Sequence, residues 1–191
     1  TDRQLTVAAL AGNAGAGGVF LALAADWVWA RHGVILNPHY KNMGNLYGSE
    51  YWSYLLPRRV GAERAAAIMA NRLPLGSSDA VALGFLDAAF GDDPAGFDAE
   101  VRSRAEALAT AVDFAAQLEA KRRCRADDEA EKPLASWRAD ELEHMQRNFY
   151  GFDPSYHVAR HHFVRKTPHS WTPRHLAIHR ELGWKIPEAA E

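Results

Sequence analysis

The apolar positions of the first ninety residues fall into short runs separated by alanine-rich stretches. Residues 5–10, 27–30 and 34–36 are β-like runs, and the segments between them favour helix. Alternation of strands with helices is typical of an α/β fold. The pattern therefore predicts an α/β core over residues 1–93.

From Pro94 onward the pattern becomes almost wholly helical. Residues 98–123 carry apolar side chains at steps of three and four, which predicts one amphipathic helix with a single stripe: Val101, Ala105, Leu108, Val112 and Ala115. Basic residues at 121–123 would close its last turn. A charged connector over 124–133 and a helix near 139–147 would follow. We therefore predict a helical C-terminal region over residues 94–191.

Composition sets broad limits on the function. With 48% hydrophobic residues among 191, the chain can bury a core of its own. A formal net charge of −2 gives no general attraction to nucleic acid or anionic membranes, and no apolar run approaches the roughly 18 residues of a spanning helix. The single cysteine, Cys124, suits a reducing compartment. We expect a cytoplasmic protein with no nucleic-acid or membrane partner.

A glycine-rich stretch at residues 11–20, AGNAGAGGVF, follows the first predicted strand. Strand, glycine-rich turn and apolar helix together bring free backbone N–H groups and the helix dipole to a ligand oxygen. The stretch lacks the Lys-Ser/Thr of a phosphate-binding loop and the downstream acid of a dinucleotide fold. A close-packed structural turn is the alternative, since small residues also permit tight helix–sheet packing.

Residues 5–30, with Asp26 after the helix, resemble the glycine-run segment of the crotonase (enoyl-CoA hydratase/isomerase) superfamily. Residues 71–90, with Asp79, Ala80 and Gly84 at matching steps, resemble a later segment of that family. The resemblance implies a ClpP/crotonase-type spiral of ββα units, whose first units would be missing from this chain. It also implies that the backbone N–H of Gly17 donates to a thioester carbonyl oxygen, with Ala16 and Gly18 lining the same substrate site.

Two departures from the family bear on the reaction. The family's hydratases carry a glutamate at the position of Phe20 and a second glutamate at the position of Tyr40. A pair of carboxylates activates and delivers water across a double bond, so their loss argues against ordinary hydration or isomerisation. Phe20 and Tyr40 predict instead a drier substrate pocket with one phenol.

Residues 37–61 and 148–180 resemble a narrower family, the carboxy-terminal domain of the HoxX/HypX hydrogenase maturation factors. That resemblance implies release of carbon monoxide from formyl-CoA, to supply the CO ligand of the nickel–iron centre. Coenzyme A would be bound as formyl-CoA, whereas tetrahydrofolate would be bound only by an upstream formyltransferase-like domain, the principal partner. Other hydrogenase maturation proteins are further candidate partners.

Within that family, Tyr40 is the leading candidate to position or carry the formyl proton. The alternatives are that it makes a polar contact with formyl-CoA or that it is only a packed tyrosine of the core. Tyr47, Glu50 and Tyr51 would border the acyl pocket, unless they form an aromatic packing cluster with one satisfied glutamate. We expect Tyr40→Phe to impair CO formation more than loss of any carboxylate, and Phe20→Glu to create no strong hydratase activity.

Two other functions stay open: a crotonase of different acyl-CoA specificity, and a catalytically silent docking module. The chain begins at Thr1 without an initiator methionine, and only eleven residues precede Gly12. The loop that carries the family's second oxyanion donor would therefore lie upstream. We expect the 191-residue piece alone to bind CoA weakly and to release no measurable CO.

The histidine pairs 157/161 and 175/179 have the four-residue spacing of metal ligands on a helix face. Residues 156–185, however, contain six lysine and arginine residues and one acid, Glu181. A cation would be poorly received there, so we predict no metal site. Packing roles, or help in binding CoA phosphates or the partner domain, are the alternatives.

Overall fold

The computed structural model describes residues 3–40, 43–71 and 73–167. The strands are β1 Val7–Leu10, β2 Ala14–Gly15, β3 Trp27–Arg31, β4 Ile35–Asn37, β5 Leu75–Gly76 and β6 Ala88–Phe90. The helices are α1 Gly17–Leu23, α2 Trp52–Val60, α3 Ala62–Ala70, α4 Ser77–Ala82, α5 Pro94–Thr110, α6 Phe114–Glu131, α7 Leu134–Tyr150 and α8 Ser155–Arg165. Within these residues, no helix combines the length and hydropathy of a membrane span.

The strands form two small sheets that the chain visits alternately. The first has the order β1-β3-β6 and is parallel throughout, whereas the second has the order β2-β4-β5, with β4 and β5 antiparallel. The chain runs β1, β2, α1 and then β3, β4, α2, so each unit gives one strand to each sheet before its helix. The α/β core predicted from the alternating pattern is therefore confirmed.

Helix α1 lies at the centre of the main hydrophobic core. Its residues Val19, Phe20 and Leu23 are buried, and they belong to one cluster with Val28 of β3 and Leu36 of β4. The apolar run that follows the glycine-rich turn therefore anchors α1 between the sheets. Because these side chains are packed on both sheets, the direction of the first turn of α1 is fixed.

The long helix predicted over residues 98–123 is wrong as a single element. Helix α5 ends at Thr110, Ala111 is extended (ψ 139°), and α6 begins at Phe114. Val112, placed in the predicted stripe, is exposed in this break. Thr110, Val112 and Asp113 are weak helix formers, so a break costs least here.

The charged connector predicted over residues 124–133 is also wrong, because α6 continues to Glu131. The basic residues 121–123 consequently lie within the helix and do not close it. Tertiary contacts hold this polar helix: the Tyr54 hydroxyl donates to Asp128 (2.7 Å), and Arg58 forms an ion pair with the same carboxylate. The helix expected near 139–147 is present and extends over the whole of α7.

Asp26, the aspartate after the family's glycine-run helix, fastens α6 to the core. Its carboxylate accepts hydrogen bonds from the Thr6 N–H (2.7 Å), the Thr6 hydroxyl (2.8 Å) and the Lys121 ammonium (2.7 Å). Burial opposes ionisation of this carboxyl, but the hydrogen bonds from Lys121 and Thr6 outweigh burial and lower its pKa below the ordinary 3.8. The C-terminal helices are thus attached to the α/β core by charged as well as apolar contacts.

Candidate active site

The glycine-rich turn ends at the first residue of α1. Ala16 adopts φ 48° and ψ −123°, and its N–H donates to the Asn37 carbonyl of β4 (2.8 Å). Gly17 is the first helical residue, so its N–H is one of the four that have no acceptor within the helix. The positive end of the α1 dipole adds to that donor. The geometry matches the donor position that the family resemblance implies for Gly17.

Glu50 comes next to Gly17 from a loop more than thirty residues later in the chain. A methyl group placed on Gly17 would lie 3.0 Å from both Cδ and Oε1 of Glu50. A methyl group on Gly18 would meet no atom within 4 Å. The carboxyl group of Glu50 therefore lies directly beside the Gly17 backbone, whereas the space beside Gly18 is open. Although both family glutamates are replaced, a different carboxylate is present at the predicted donor.

Tyr40 contacts the same carboxylate. Its hydroxyl donates a short hydrogen bond to Oε2 of Glu50, and the Ser49 N–H donates to that oxygen at 2.9 Å. Burial, and after it the hydrogen bond to Glu50, raise the pKa of Tyr40 above its ordinary value of 10.0. Tyr40 is consequently a neutral hydrogen-bond donor at physiological pH and a poor base.

The ring of Tyr40 is closely packed by Phe20 and Gly48. Phe20 stacks on it with ring centroids 5.9 Å apart and planes inclined by 18°. On another side, a methyl group on Gly48 would lie 2.3 Å from Tyr40 Cε2, and Gly48 itself has φ 93°. Only glycine fits there without displacing the tyrosine. Phe20 is fully buried, so its structural role is to support Tyr40 within the core.

Tyr47 and Tyr51 lie on the same loop but have other neighbours. The ring of Tyr47 stacks on His144 of α7, with centroids 4.1 Å apart, and lies 5.1 Å from the ring of Trp52. Tyr51 has φ 59° and borders a cavity of about 680 Å³ between α2 and α6. The structure thus brings together Gly17, Tyr40 and Glu50, while the two further tyrosines contact neighbouring elements.

The cavity beside Tyr51 is lined by four cationic side chains. Arg59 is paired with Asp87 (2.9 Å), and Lys121 is paired with Asp26. The Arg125 guanidinium donates to the Tyr54 hydroxyl (2.7 Å), and Arg58 pairs with Asp128. Each of these cations thus has an acceptor within the protein: Arg58 and Arg125 join α2 to α6, whereas Arg59 and Lys121 pair with acids of the α/β core.

Two residues of α7 near the site were not singled out from the sequence. Glu141 is 0% exposed and accepts hydrogen bonds from the N–H groups of Tyr51 and Ser53. Asn148 accepts the N–H of Tyr47, in the loop that carries Glu50. The available signal was their spacing: positions 141, 145 and 148 share one face of a helix. That spacing alone did not distinguish them from the solvated residues of a charged helix.

Among the described residues, the pair His157 and His161 shows no metal-binding geometry. His157 contacts the Phe149 carbonyl (Nε2 to O, 2.8 Å), and His161 packs edge-on against His162. Across residues 3–40, 43–71 and 73–167, no group of three or more His, Cys, Asp or Glu side chains could hold a metal ion. His175 and His179 lie outside the described residues.

Comparison with known proteins identifies relatives of two kinds. Residues 2–173 match the model of the enoyl-CoA hydratase/isomerase family. The chain is 57% identical over 180 residues to the hydrogenase maturation factor HoxX of Bradyrhizobium diazoefficiens, an alignment that covers 94% of this chain and 31% of the relative. The chain therefore spans about a third of the length of that curated protein.

Solved structures give the same result. The crystal structure of HypX from Aquifex aeolicus in complex with tetrahydrofolic acid matches with a TM-score of 0.83 and 48% identity, covering 99% of this chain and 33% of HypX. An enoyl-CoA hydratase/isomerase from Pseudoalteromonas atlantica, 21% identical with a TM-score of 0.70, shares the fold over 87% of this chain and 63% of its own. These similarities confirm both resemblances and the crotonase fold predicted from the sequence.

Proposed function

The chain belongs to the enoyl-CoA hydratase/isomerase family, and from that membership and the site geometry we propose that it releases carbon monoxide from formyl-CoA. The similarity to HoxX and HypX supports a place in hydrogenase maturation, with CO as the ligand delivered to the metal centre. The observation that carries the proposal is the position of the Glu50 carboxyl group, which lies 3.0 Å from where a Cβ on Gly17 would be. A thioester held at that N–H presents its formyl carbon to a carboxylate.

The reaction requires one base and no added water. In formyl-CoA, Glu50 removes the formyl proton, and the electron pair of that C–H bond becomes the carbon lone pair of CO. The C–S bond breaks, and its electron pair leaves with sulfur as the CoA thiolate. Glu50 then returns the proton to the thiolate, which gives CO and free CoA. The Gly17 N–H polarises and orients the thioester carbonyl during these steps.

Tyr40 acts in this scheme as an orienting donor. Its raised pKa keeps the phenol protonated, and a protonated phenol does not accept the formyl proton. We therefore assign the proton-carrying role to Glu50. The hydroxyl of Tyr40 and the N–H of Ser49 both bind Oε2, which leaves the Oε1 edge on the side of Gly17. The phenol therefore determines which carboxylate oxygen faces the substrate.

The larger reaction needs a source of formyl-CoA. HypX of Aquifex aeolicus was crystallised with tetrahydrofolic acid, and this chain matches a third of that protein. We propose that a formyltransferase-like part of the full-length protein moves the formyl group from formyl-tetrahydrofolate to CoA, so that this domain itself binds only CoA. We also propose a cytoplasmic location, where CoA thioesters and folates are available.

The direct test is a CO assay with the full-length protein. Formyl-CoA is supplied, and CO is trapped by deoxymyoglobin and measured by its absorbance. We expect CO and free CoA in equal amounts. Hydration of crotonyl-CoA without CO from formyl-CoA would show a crotonase of other specificity, and the absence of both activities would show a docking module.

Tyr40→Phe is expected to lower the rate of CO release by about tenfold, because Glu50 loses the charge-assisted hydrogen bond from the phenol. The measurement is kcat in the same assay. Tyr150→Phe is the matched control, because Tyr150 is the last residue of α7 and its side chain is exposed. This variant should retain the parental rate. A Tyr40→Phe enzyme with the full rate would show that the phenol serves packing alone.

A further inference from the structure

Helix α7 supplies the hydrogen-bond partners of the loop that carries Glu50, here called the 44–51 loop. Glu141 of α7 accepts the Tyr51 N–H on Oε2 (2.8 Å) and the Ser53 N–H on Oε1 (2.9 Å). The Ser53 hydroxyl also donates to Oε1 (2.6 Å). This carboxylate is 0% exposed, so three donors compensate its burial.

Two further side chains on the same face of α7 bind the loop. Asn148 accepts the Tyr47 N–H (2.9 Å), and its amide donates to the Asn45 carbonyl (3.3 Å). The sulfur of Met145 accepts the Gly48 N–H (3.2 Å). Side chains of one helix therefore bind three backbone N–H groups of the loop, those of Tyr47, Gly48 and Tyr51, and the carbonyl of Asn45.

The loop's conformation is costly by itself. Asn45 (φ 57°) and Tyr51 (φ 59°) are non-glycine residues in the left-handed region, and Gly48 has φ 93°. Such residues keep these conformations only where the surroundings hold them. Helix α2, which begins right after Tyr51, has no capping side chain of its own, so Glu141 supplies the missing acceptors and a negative charge at its N-terminus.

We propose that Glu141 is a positioning residue for Glu50: by fixing the Tyr51 and Ser53 N–H groups, it sets where the Glu50 carboxylate lies beside Gly17. This inference rests on the proposed function, in which Glu50 takes the formyl proton. Tyr51 is bonded directly to Glu50 in the chain, so a shift of the Tyr51 peptide moves the base. A misplacement of about 1 Å at a reacting group can lower a rate by about 10²-fold.

Glu141→Gln tests the inference with little change in volume. Whichever way the new amide turns, its NH2 group meets the N–H of Tyr51 or of Ser53, so one donor loses its acceptor. In the full-length protein we expect kcat for CO release to fall about tenfold while KM for formyl-CoA changes less than about twofold. Glu143→Gln is the control, because Glu143 is exposed on α7 and pairs with Arg147 in its own helix; its kcat should be unchanged.

A double-mutant cycle separates positioning from stability. In a Glu50→Gln background the base is already lost, so adding Glu141→Gln should change the residual rate by less than about twofold. An undiminished tenfold further loss would mean that Glu141 acts on the fold generally, and would overturn the inference. Unchanged kcat in the single variant would also overturn it.

Hydrogen exchange gives an independent measurement that needs no substrate. Glu141→Gln should speed exchange of the Tyr51 and Ser53 amides while leaving the β3 amides protected. Asn148→Ala, which removes the acceptor of Tyr47, should speed exchange at the other end of the loop and lower kcat in the same direction. Unchanged exchange in both variants would contradict the inference. Failure of the proposed function would appear separately, as wild-type protein that releases no CO.

Discussion

Glu50→Gln is expected to lower CO release from formyl-CoA by about 10²- to 10⁴-fold, the range for removal of a general base. The glutamine has nearly the shape of glutamate and can still accept the Tyr40 hydrogen bond, but it cannot take the formyl proton. Binding of CoA should change little, because Glu50 is proposed to act on the formyl group, which free CoA lacks. Single-turnover CO release and calorimetric titration with CoA would measure the two effects separately.

Glu106→Gln is a suitable control for this prediction, since Glu106 lies exposed on α5 and should leave the rate unchanged. Comparison with Tyr40→Phe gives a second criterion. The loss from Glu50→Gln should exceed the loss from Tyr40→Phe by about tenfold or more, because the first removes the base and the second only one of its donors. The reverse order would restore Tyr40 as the proton carrier and exclude Glu50.

The sequence predicted that Gly17 lies at the start of a helix, because this placement depends on local structure. A strand, a glycine-rich turn and an apolar helix are encoded within about twenty residues, and the turn can end only at the helix N-terminus. The same holds for the α/β alternation. In both cases the apolar positions follow the period of the element itself, and the structure buries them in one cluster shared by α1 and the neighbouring strands.

The role of Glu50 could not be ranked from the sequence, because it depends on long-range contacts. Glu50 reaches Gly17 only because the 44–51 loop takes left-handed conformations at Asn45 and Tyr51, and α7 binds that loop from about ninety residues away. Sequence reasoning identified the stretch around Glu50 as a pocket border, but nothing local distinguishes a base there from a satisfied surface glutamate. Glu141, which accepts the Tyr51 and Ser53 N–H groups, lies in a helix whose surface is otherwise largely charged and exposed.

The prediction missed the break between α5 and α6 for a related reason. The apolar steps through Val112 continue across the break, so periodicity alone favours one helix. What separates the two helices is the set of contacts that α6 makes with the core, among them the pair between Lys121 and Asp26. Tertiary contacts of that kind decide a helix boundary wherever local propensity is weak.

Gly17→Ala is expected to leave the fold intact and to lower CO release by about tenfold or more. The added methyl group would lie 3.0 Å from the Glu50 carboxyl and 3.1 Å from its Cγ, so the glutamate side chain must move. Because the nearest atoms belong to the end of a flexible side chain, the displacement costs little stability. It costs activity, because the proposed base moves away from the proposed thioester donor, and a few tenths of an ångström is a sizeable part of the shift of about 1 Å that lowers a rate by about 10²-fold.

Gly12→Ala is the control, since Gly12 lies outside the predicted substrate site and a methyl group on it would meet no atom within 4 Å. Replacing a glycine by alanine where it fits without strain raises the free energy of unfolding by about 0.4–1 kcal/mol. Thermal melts should therefore show Gly12→Ala at least as stable as the parent protein and Gly17→Ala close to it, and the CO assay should separate them. Equal activity of the two variants would mean that Glu50 has room to move without consequence, and that the carboxylate beside Gly17 does not take the formyl proton.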